Sequence, residues 1–409
     1  MTRDSLSAGD QLGREYVVLS LGVGRLQEGI VDSYYGPPEL AQEATARAAS
    51  AGQLARDAAR LREAAAADPD PQRAYWLDRQ LVALETLASR LAGTELEYVD
   101  EVERCFDARP AKTPVEQFEQ IHRQLDELLP TGPSLRERVE ARGERLTIPK
   151  ERLPEISDWL VGEIRADSDR YFSAPAGESL SVDLVTDQPW SGYNWYDGDL
   201  RSRVEINTDL PVRASGLIGL LTHETFPGHH LEHSWKEQRL ARDLGRLEAT
   251  VMLINTPEAY ISEGLAEVGG HYVVDDERWD ELFGGICRRA GIALETGEAA
   301  RQRQINKVLN GFGTISGDAA LMLHHEHRPP AEVKAFEIEV GLASPERAEK
   351  SIEFISHPLW RTYVFCYGGG EDLLTRWCEA AGAIESQRAR FFRLLSEQLT
   401  PSGLGADLR

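Results

Sequence analysis

Cysteine is scarce in this chain, and basic residues are outnumbered. The four cysteines, Cys105, Cys287, Cys366 and Cys378, lie far apart, with no C-x-x-C pair among them. Such spacing excludes a disulfide framework and a thiolate metal site, and predicts reduced core residues. Lysine and arginine total 45 against 68 aspartates and glutamates, a net charge of −23. So acidic a protein is a poor partner for nucleic acid or an anionic membrane surface, both of which demand positive charge. No apolar stretch reaches membrane-spanning length, and the opening Met1-Thr2-Arg3-Asp4-Ser5 lacks the basic-then-apolar pattern of a signal peptide. The expectation is a cytoplasmic protein. No period of repetition and no Pro, Gly and Ser-rich linker divides the chain, which excludes a solenoid and favours one compact domain. Oligomeric state leaves no mark on the sequence.

What is present is helix-forming. Hydrophobic residues make up 41% and charged residues 28%, with heavy use of Ala, Arg, Glu and Leu. Apolar residues at helical spacing predict helices over 12–34, 41–66, 74–91 and 155–169, with Thr113-Pro114 and Thr131-Gly132-Pro133-Ser134 marking two further starts. The texture changes between Ser179 and Val212. Ser181 to Val185 alternates polar and apolar residues, and Asp197-Gly198-Asp199 separates two strand-like runs in the manner of a hairpin. A helix from Ala214 into His223 follows directly. An edge strand beside that helix can hold an extended peptide. Helical patterns then return over 237–254, 257–274, 280–307, 315–325, 330–340, 344–354 and 371–399. The fold class expected is mainly α, with a small antiparallel β-sheet beside the 214–223 helix. An N-terminal helical half (1–175) and a metal-binding catalytic half (176–409) flank a cleft.

The segment His223-Glu224-Thr225-Phe226-Pro227-Gly228-His229-His230 carries the most chemistry. H-E-x-x-H on a helix places two histidines one turn apart on one zinc, with the glutamate as general base. Here the position four after His223 is Pro227, which ligates nothing. On an ideal helix His229 falls about 120° off the face of His223, and His230 lies on that face but about 10.5 Å along the axis. Two nitrogens on one tetrahedral zinc sit only about 3.3 Å apart. No regular helix meets that distance with either histidine. Pro227 removes a helical N–H and pushes Phe226 from helical angles, while Gly228 accepts positive φ freely. A bulge or kink there brings one later histidine back beside His223. Excising Pro-Gly leaves H-E-x-x-H, which favours His229 as the second ligand; His230 is the rival. A helix merely ending at Pro-Gly would leave all three histidines on a solvated turn, a poor account of such a concentration in a chain with ten histidines.

A His₂Glu zinc site takes its carboxylate from a later helix and keeps one position open. Glu263 and Glu267 are one turn apart, and Gly264 lets another backbone approach. Glu263 is the expected ligand, and Glu267 the support that orients a histidine. Glu224 is the expected general base, taking a proton from a metal-activated water and passing it to the leaving amine. Donors for an oxyanion are expected from His324-His325-Glu326-His327, with His327 as candidate, and from Tyr363 and Tyr367, one turn apart before Gly368-Gly369-Gly370. Arg361 reads as a salt-bridge partner that could otherwise take a substrate carboxylate. His233 and His271 read as structural.

His-Glu-x-x-Pro-Gly-His-His, followed by a Glu-Gly-x-Ala helix at Glu263, resembles the bacterial domain-of-unknown-function 885 family. The likeness runs from Tyr193 to Gly370. It implies a metallopeptidase-like protein, similar in layout to helical zinc peptidases such as thimet oligopeptidase and bacterial carboxypeptidase Taq. It also implies a metal at His223, at His229 or His230, and at Glu263, with a catalytic Glu224 and a site tyrosine at Tyr367. Two departures stand out: Glu232 where the family commonly has Gln, and Leu265 where it favours Trp. The function expected is a zinc-dependent hydrolase of short peptides, carboxypeptidase- or dipeptidase-like. The alternatives are a zinc hydrolase of small amides or esters, and a silent helical protein with a structural metal.

Overall fold

Helix starts fall where the sequence supplies caps. Ser50 accepts from the Gln53 N–H and opens the helix Ala51–Ala65, and Asp70 caps Pro71–Leu91 through the N–H groups of Gln72 and Arg73. Ser134 and Glu137 form a reciprocal capping box on Leu135–Arg145, and Thr256 caps Pro257–Gly269. The computed structural model describes residues 11–188 and 190–409. The opening pentapeptide considered above lies outside the described residues.

The fold is mainly α, with five strands among the described residues: β1 (Val31–Tyr34), β2 (Ser179–Val185), β3 (Gly192–Gly198), β4 (Arg201–Asn207) and β5 (Val251–Leu253). Strands β3 and β4 form an antiparallel hairpin, and β2 extends it in parallel on the far side of β4. The hairpin turn is Asp199-Leu200, both at positive φ (56° and 58°), two residues beyond the start of the Asp-Gly signal. Glu237 anchors this turn, accepting from the Tyr196 hydroxyl at 2.6 Å and the Leu200 N–H at 3.2 Å.

Several long helical runs are divided. The run from Leu12 is helical only as Gln11–Gly24; its remainder becomes β1, paired antiparallel with β5. Cross-strand pairing there overrides helical periodicity. The 41–66 run breaks at Ala48 (φ 45°), the 280–307 run at Gly291 and Gly297, and the 371–399 run at Gly382, all left-handed. The 237–254 run is a π-helical stretch Glu237–Asp243, a short 3₁₀ turn and β5.

One contiguous apolar core draws on residues from Tyr16 to Leu404, so both sequence halves contribute to it. Among the described residues no helix is long and apolar enough to cross a membrane. Through this core the helices Pro257–Gly269 and Phe365–Glu379 cross backbone to backbone. A Cβ on Gly264 would lie 2.7–2.8 Å from the backbone of Gly370. That approach sets Glu263 of one helix beside Tyr363, just before the other. Gly264→Ala is expected to destabilise the protein by about 1–3 kcal/mol through overpacking. Gly162→Ala, in a helix with nothing within 4 Å of the new methyl, is expected to stabilise it by about 0.5–1 kcal/mol. Urea denaturation of both variants checks the pair; an unchanged midpoint for Gly264→Ala would contradict the crossing.

Candidate metal centre

The helix Ala214–Glu224 ends where Pro227 can no longer supply an N–H. The chain reverses through Thr225 and a cis Phe226–Pro227 peptide and re-enters helix at His229–Lys236. Gly228 donates its N–H to the Thr222 carbonyl at 3.0 Å, and its own carbonyl accepts from Glu232 N–H. The glycine is required by closeness and not by positive φ, since its φ is −78°. Any Cβ there would overlap the carbonyl of His223. The reversal carries His229 back so that its Nε2 lies 3.1 Å from His223 Nε2.

Glu263 completes the group from the Pro257–Gly269 helix. Its Oε2 is 3.4 Å from His223 Nε2 and its Oε1 is 3.5 Å from His229 Nε2. Zinc bonds of about 2.0–2.1 Å at tetrahedral angles demand donor separations of about 3.3 Å. Each histidine therefore meets the spacing of one small cation with the other and with one oxygen of Glu263, Oε2 for His223 and Oε1 for His229. Glu263 Oε2 is buried with no hydrogen-bond partner, an orphan acceptor of the kind a cation satisfies. Glu224 offers a carboxylate oxygen that lies, with ring nitrogens of His223 and His229, within a mutual 4.8 Å.

Each of these groups is held from behind. Glu267 Oε1 lies 3.4 Å from His223 Nδ1, and it is the more exposed of the two, so solvent reaches the centre from that side. His229 Nδ1 faces Ser262 Oγ at 3.2 Å and Glu232 Oε2 at 3.5 Å. Ser262 donates to Glu232 at 2.6 Å, and Lys236 donates to both Glu232 and Glu258. Tyr363 donates its hydroxyl to Glu263 Oε1 at 2.6 Å. Asn194 of β3 donates to the Glu224 carbonyl at 2.7 Å, and Gly192 lets that strand lie on the Glu224 side chain.

The electrostatics ask for positive charge at this point. Burial opposes protonation of His223, yet its contacts with Glu263 and Glu267 hold its pKa well above the usual value. Burial likewise opposes charge on His229, but Glu232 and Glu263 raise it to about 10. Burial disfavours the Glu263 carboxylate too, and the two histidines overcome this and hold it well below the usual range. Glu224 is raised, by burial first. Two imidazolium N–H groups cannot face each other at 3.1 Å. A single divalent cation supplies the same charge without that conflict.

Other expected residues stand elsewhere. His230 is turned away from the centre: Nδ1 pairs with Ser202 Oγ at 2.8 Å and Nε2 with Glu178 Oε2 at 2.7 Å. With both ring nitrogens engaged it is not a ligand, and it ties the reversal to the sheet. His327 is exposed in a left-handed turn (φ 55°) beyond the helix Ile315–His324, outside the cluster. His324 bonds the Ile355 carbonyl and packs on Tyr98, because that helix end is spent on structure. Arg361 pairs with Glu101 at 2.9 Å. Tyr367 is half-buried against Tyr363, and among the described residues its hydroxyl has no hydrogen-bond partner. The supporting roles of Glu232, Ser262 and Asn194 escaped the sequence reading. Glu232, one turn after His229, was findable from helical spacing alone.

No family model matches the chain, and no curated protein matches it. Solved structures do. A protein from Colwellia psychrerythraea, provisionally named a lipoprotein, is 15% identical, with a TM-score of 0.57 over 90% of this chain and 69% of that one. An M32 carboxypeptidase from Deinococcus radiodurans R1 is 14% identical, with a TM-score of 0.40 over 96% of this chain and 93% of that one. The first likeness concerns the fold alone.

Wild-type protein is expected to bind one zinc ion per chain. His223→Ala, His229→Ala and Glu263→Ala should each lose it, and His230→Gln should retain it. Metal content by mass spectrometry after dialysis decides; zinc lost from His230→Gln and kept by His229→Ala would reverse the ligand assignment.

Proposed function

We propose that this chain is a zinc-dependent hydrolase that cleaves short peptides, a metallopeptidase of the kind its motif resembles. One observation carries the reading. His223, His229 and Glu263 converge at zinc spacing with the Glu224 carboxylate beside them, and His230 does not close the set. A ligand set with an open position is the catalytic arrangement, and a closed set of four is the structural one. Manganese or cobalt suits the same donors, with zinc favoured by the histidine pair.

His223, His229 and Glu263 would hold the metal. A divalent cation there supplies Lewis acidity that polarises a carbonyl and acidifies water. Glu224 then has the work of a general base, receiving the proton of the attacking water and delivering it to the leaving nitrogen. Its burial raises its proton affinity above that of an ordinary carboxylate, which suits a group that must hold the proton between the two transfers. The Asn194 bond to the Glu224 carbonyl fixes the helix end that aims this side chain. Tyr367 stays protonated because burial, then Glu263, drives its pKa upward. Its uncommitted hydroxyl suits a donor to charge developing on the carbonyl oxygen. Tyr363 acts one step back by fixing Glu263, and Glu267 and Glu232 orient the two imidazoles.

Glu224→Gln is expected to lower kcat about 10²–10⁴-fold while zinc remains bound. Tyr367→Phe should lower kcat about 10²-fold with little change in KM. Steady-state kinetics on a dipeptide and tripeptide panel, beside acylated small molecules, makes the test. Undiminished turnover by Glu224→Gln would remove this mechanism, and hydrolysis confined to the small molecules would remove the peptide assignment.

A further inference from the structure

We propose that Asp32 and Tyr193 form a subsite for the free α-ammonium group of the substrate, so that peptides are engaged from their amino terminus. This deepens the peptidase reading and rests on it. Asp32 sits on β1, in the N-terminal part of the chain, and its carboxylate accepts the hydroxyl of Tyr193 on β3. Among the described residues it has no cationic partner, although it is only partly exposed. Its proton affinity is set first by burial, then by Tyr193, and after these by the charges of His229 and Glu263. Tyr193 in turn lies in the fields of Glu263 and Glu224. Gly192 and Asn194, on either side of Tyr193 in β3, lie against the carboxylate and the carbonyl of Glu224, so the pair adjoins the base without belonging to it.

The surroundings suit a cation with N–H donors. Trp190 and Trp195 flank Tyr193 with ring centroids 5.4 and 4.5 Å away; aromatic faces attract cations, and Arg203 already lies over the Trp195 ring at 5.9 Å, which leaves Trp190 for an ammonium group. On the next residue of the same strand, Asn194 is buried, and its Oδ1 has no partner while its amide N–H₂ holds the Glu224 carbonyl. Alternation along β3 turns Asn194 to the face opposite Tyr193, where it ties the strand to the helix that carries the base.

Two buried or half-buried cations are not free for the opposite end of a peptide. A carboxypeptidase needs a cation for the terminal carboxylate. Arg361 is committed to Glu101 and stacked on Tyr98, and Lys236 is buried between Glu232 and Glu258.

The test uses zinc-loaded full-length protein and the dipeptide Ala-Phe in free, N-acetylated and C-amidated forms. The free and amidated forms should be hydrolysed, and N-acetylation should reduce kcat/KM about 100-fold. Asp32→Asn should reduce kcat/KM on the free dipeptide about 10- to 100-fold, mainly through KM, the range of one charge-assisted hydrogen bond. On the N-acetylated form it should change nothing. Tyr193→Phe should act in the same direction with a smaller effect, and it decides the matter if Asp32→Asn does not fold. Equal turnover of free and N-acetylated peptide, or refusal of the amidated form alone, would overturn the subsite. If no peptide is cleaved, the peptidase reading fails. Calorimetric binding of the same three probes to Glu224→Gln then judges the subsite separately. A preference for the free amine that Asp32→Asn abolishes supports it, and no preference overturns it.

Discussion

The close contact between Gly228 and the last turn of the preceding helix governs the whole site. A histidine six residues after another cannot share its metal on a continuous helix. Here the chain stops, reverses over four residues, and starts a new helix with His229 at its head. The reversal is possible because the residue pressed on the carbonyl of His223 has no side chain, and because Pro227 has no N–H to leave unsatisfied. Once His229 is returned, its helix also carries Glu232 behind it and His230 to the side. His230 then fastens the turn to Glu178 and Ser202. One local packing constraint thus orders a ligand, the carboxylate that orients it, and a clamp to the sheet.

Around this turn the protein gathers more buried negative charge than its own cations neutralise. Glu224, Glu232, Glu258 and Glu263 are set close together, and Lys236 is the lysine among them, shared by two. Uncompensated buried carboxylates are costly. The histidines are drawn toward protonation by this field, yet their facing nitrogens are too close to be protonated together. A dication resolves both demands. Asp32, held by the Tyr193 hydroxyl, is a further carboxylate outside that group, suited to the amino terminus of a substrate.

Periodic features were legible in the sequence. Capped helices such as Pro71–Leu91, Leu135–Arg145 and Pro257–Gly269 start within a few residues of their signals, because caps act locally. The strands flanking the hairpin were readable from alternation. Helical periodicity failed where a distant partner decided the outcome: Val31–Tyr34 is a strand because Val251–Leu253 lies beside it, and nothing local says so. In the site, the spacing of His223, Glu224, His229 and Glu263 pointed to one centre, and Glu267 was placed by one helical turn. The reason assigned to Gly228 was mistaken, since contact and not φ demands it. His327 could not be judged from sequence, because the direction of a turn after a helix end depends on what packs against it. Asp32 and Tyr193 lie far apart in the chain, and only the packing of β1 against β3 brings them together.

The central claim is a three-residue metal centre with an open position, and X-ray absorption at the zinc edge of the zinc-loaded protein tests it most directly. The account predicts two imidazole nitrogens and one carboxylate at about 2.0–2.1 Å, with a water oxygen completing the shell. A shell of three imidazoles, a sulfur ligand, or four protein donors with no water would contradict it.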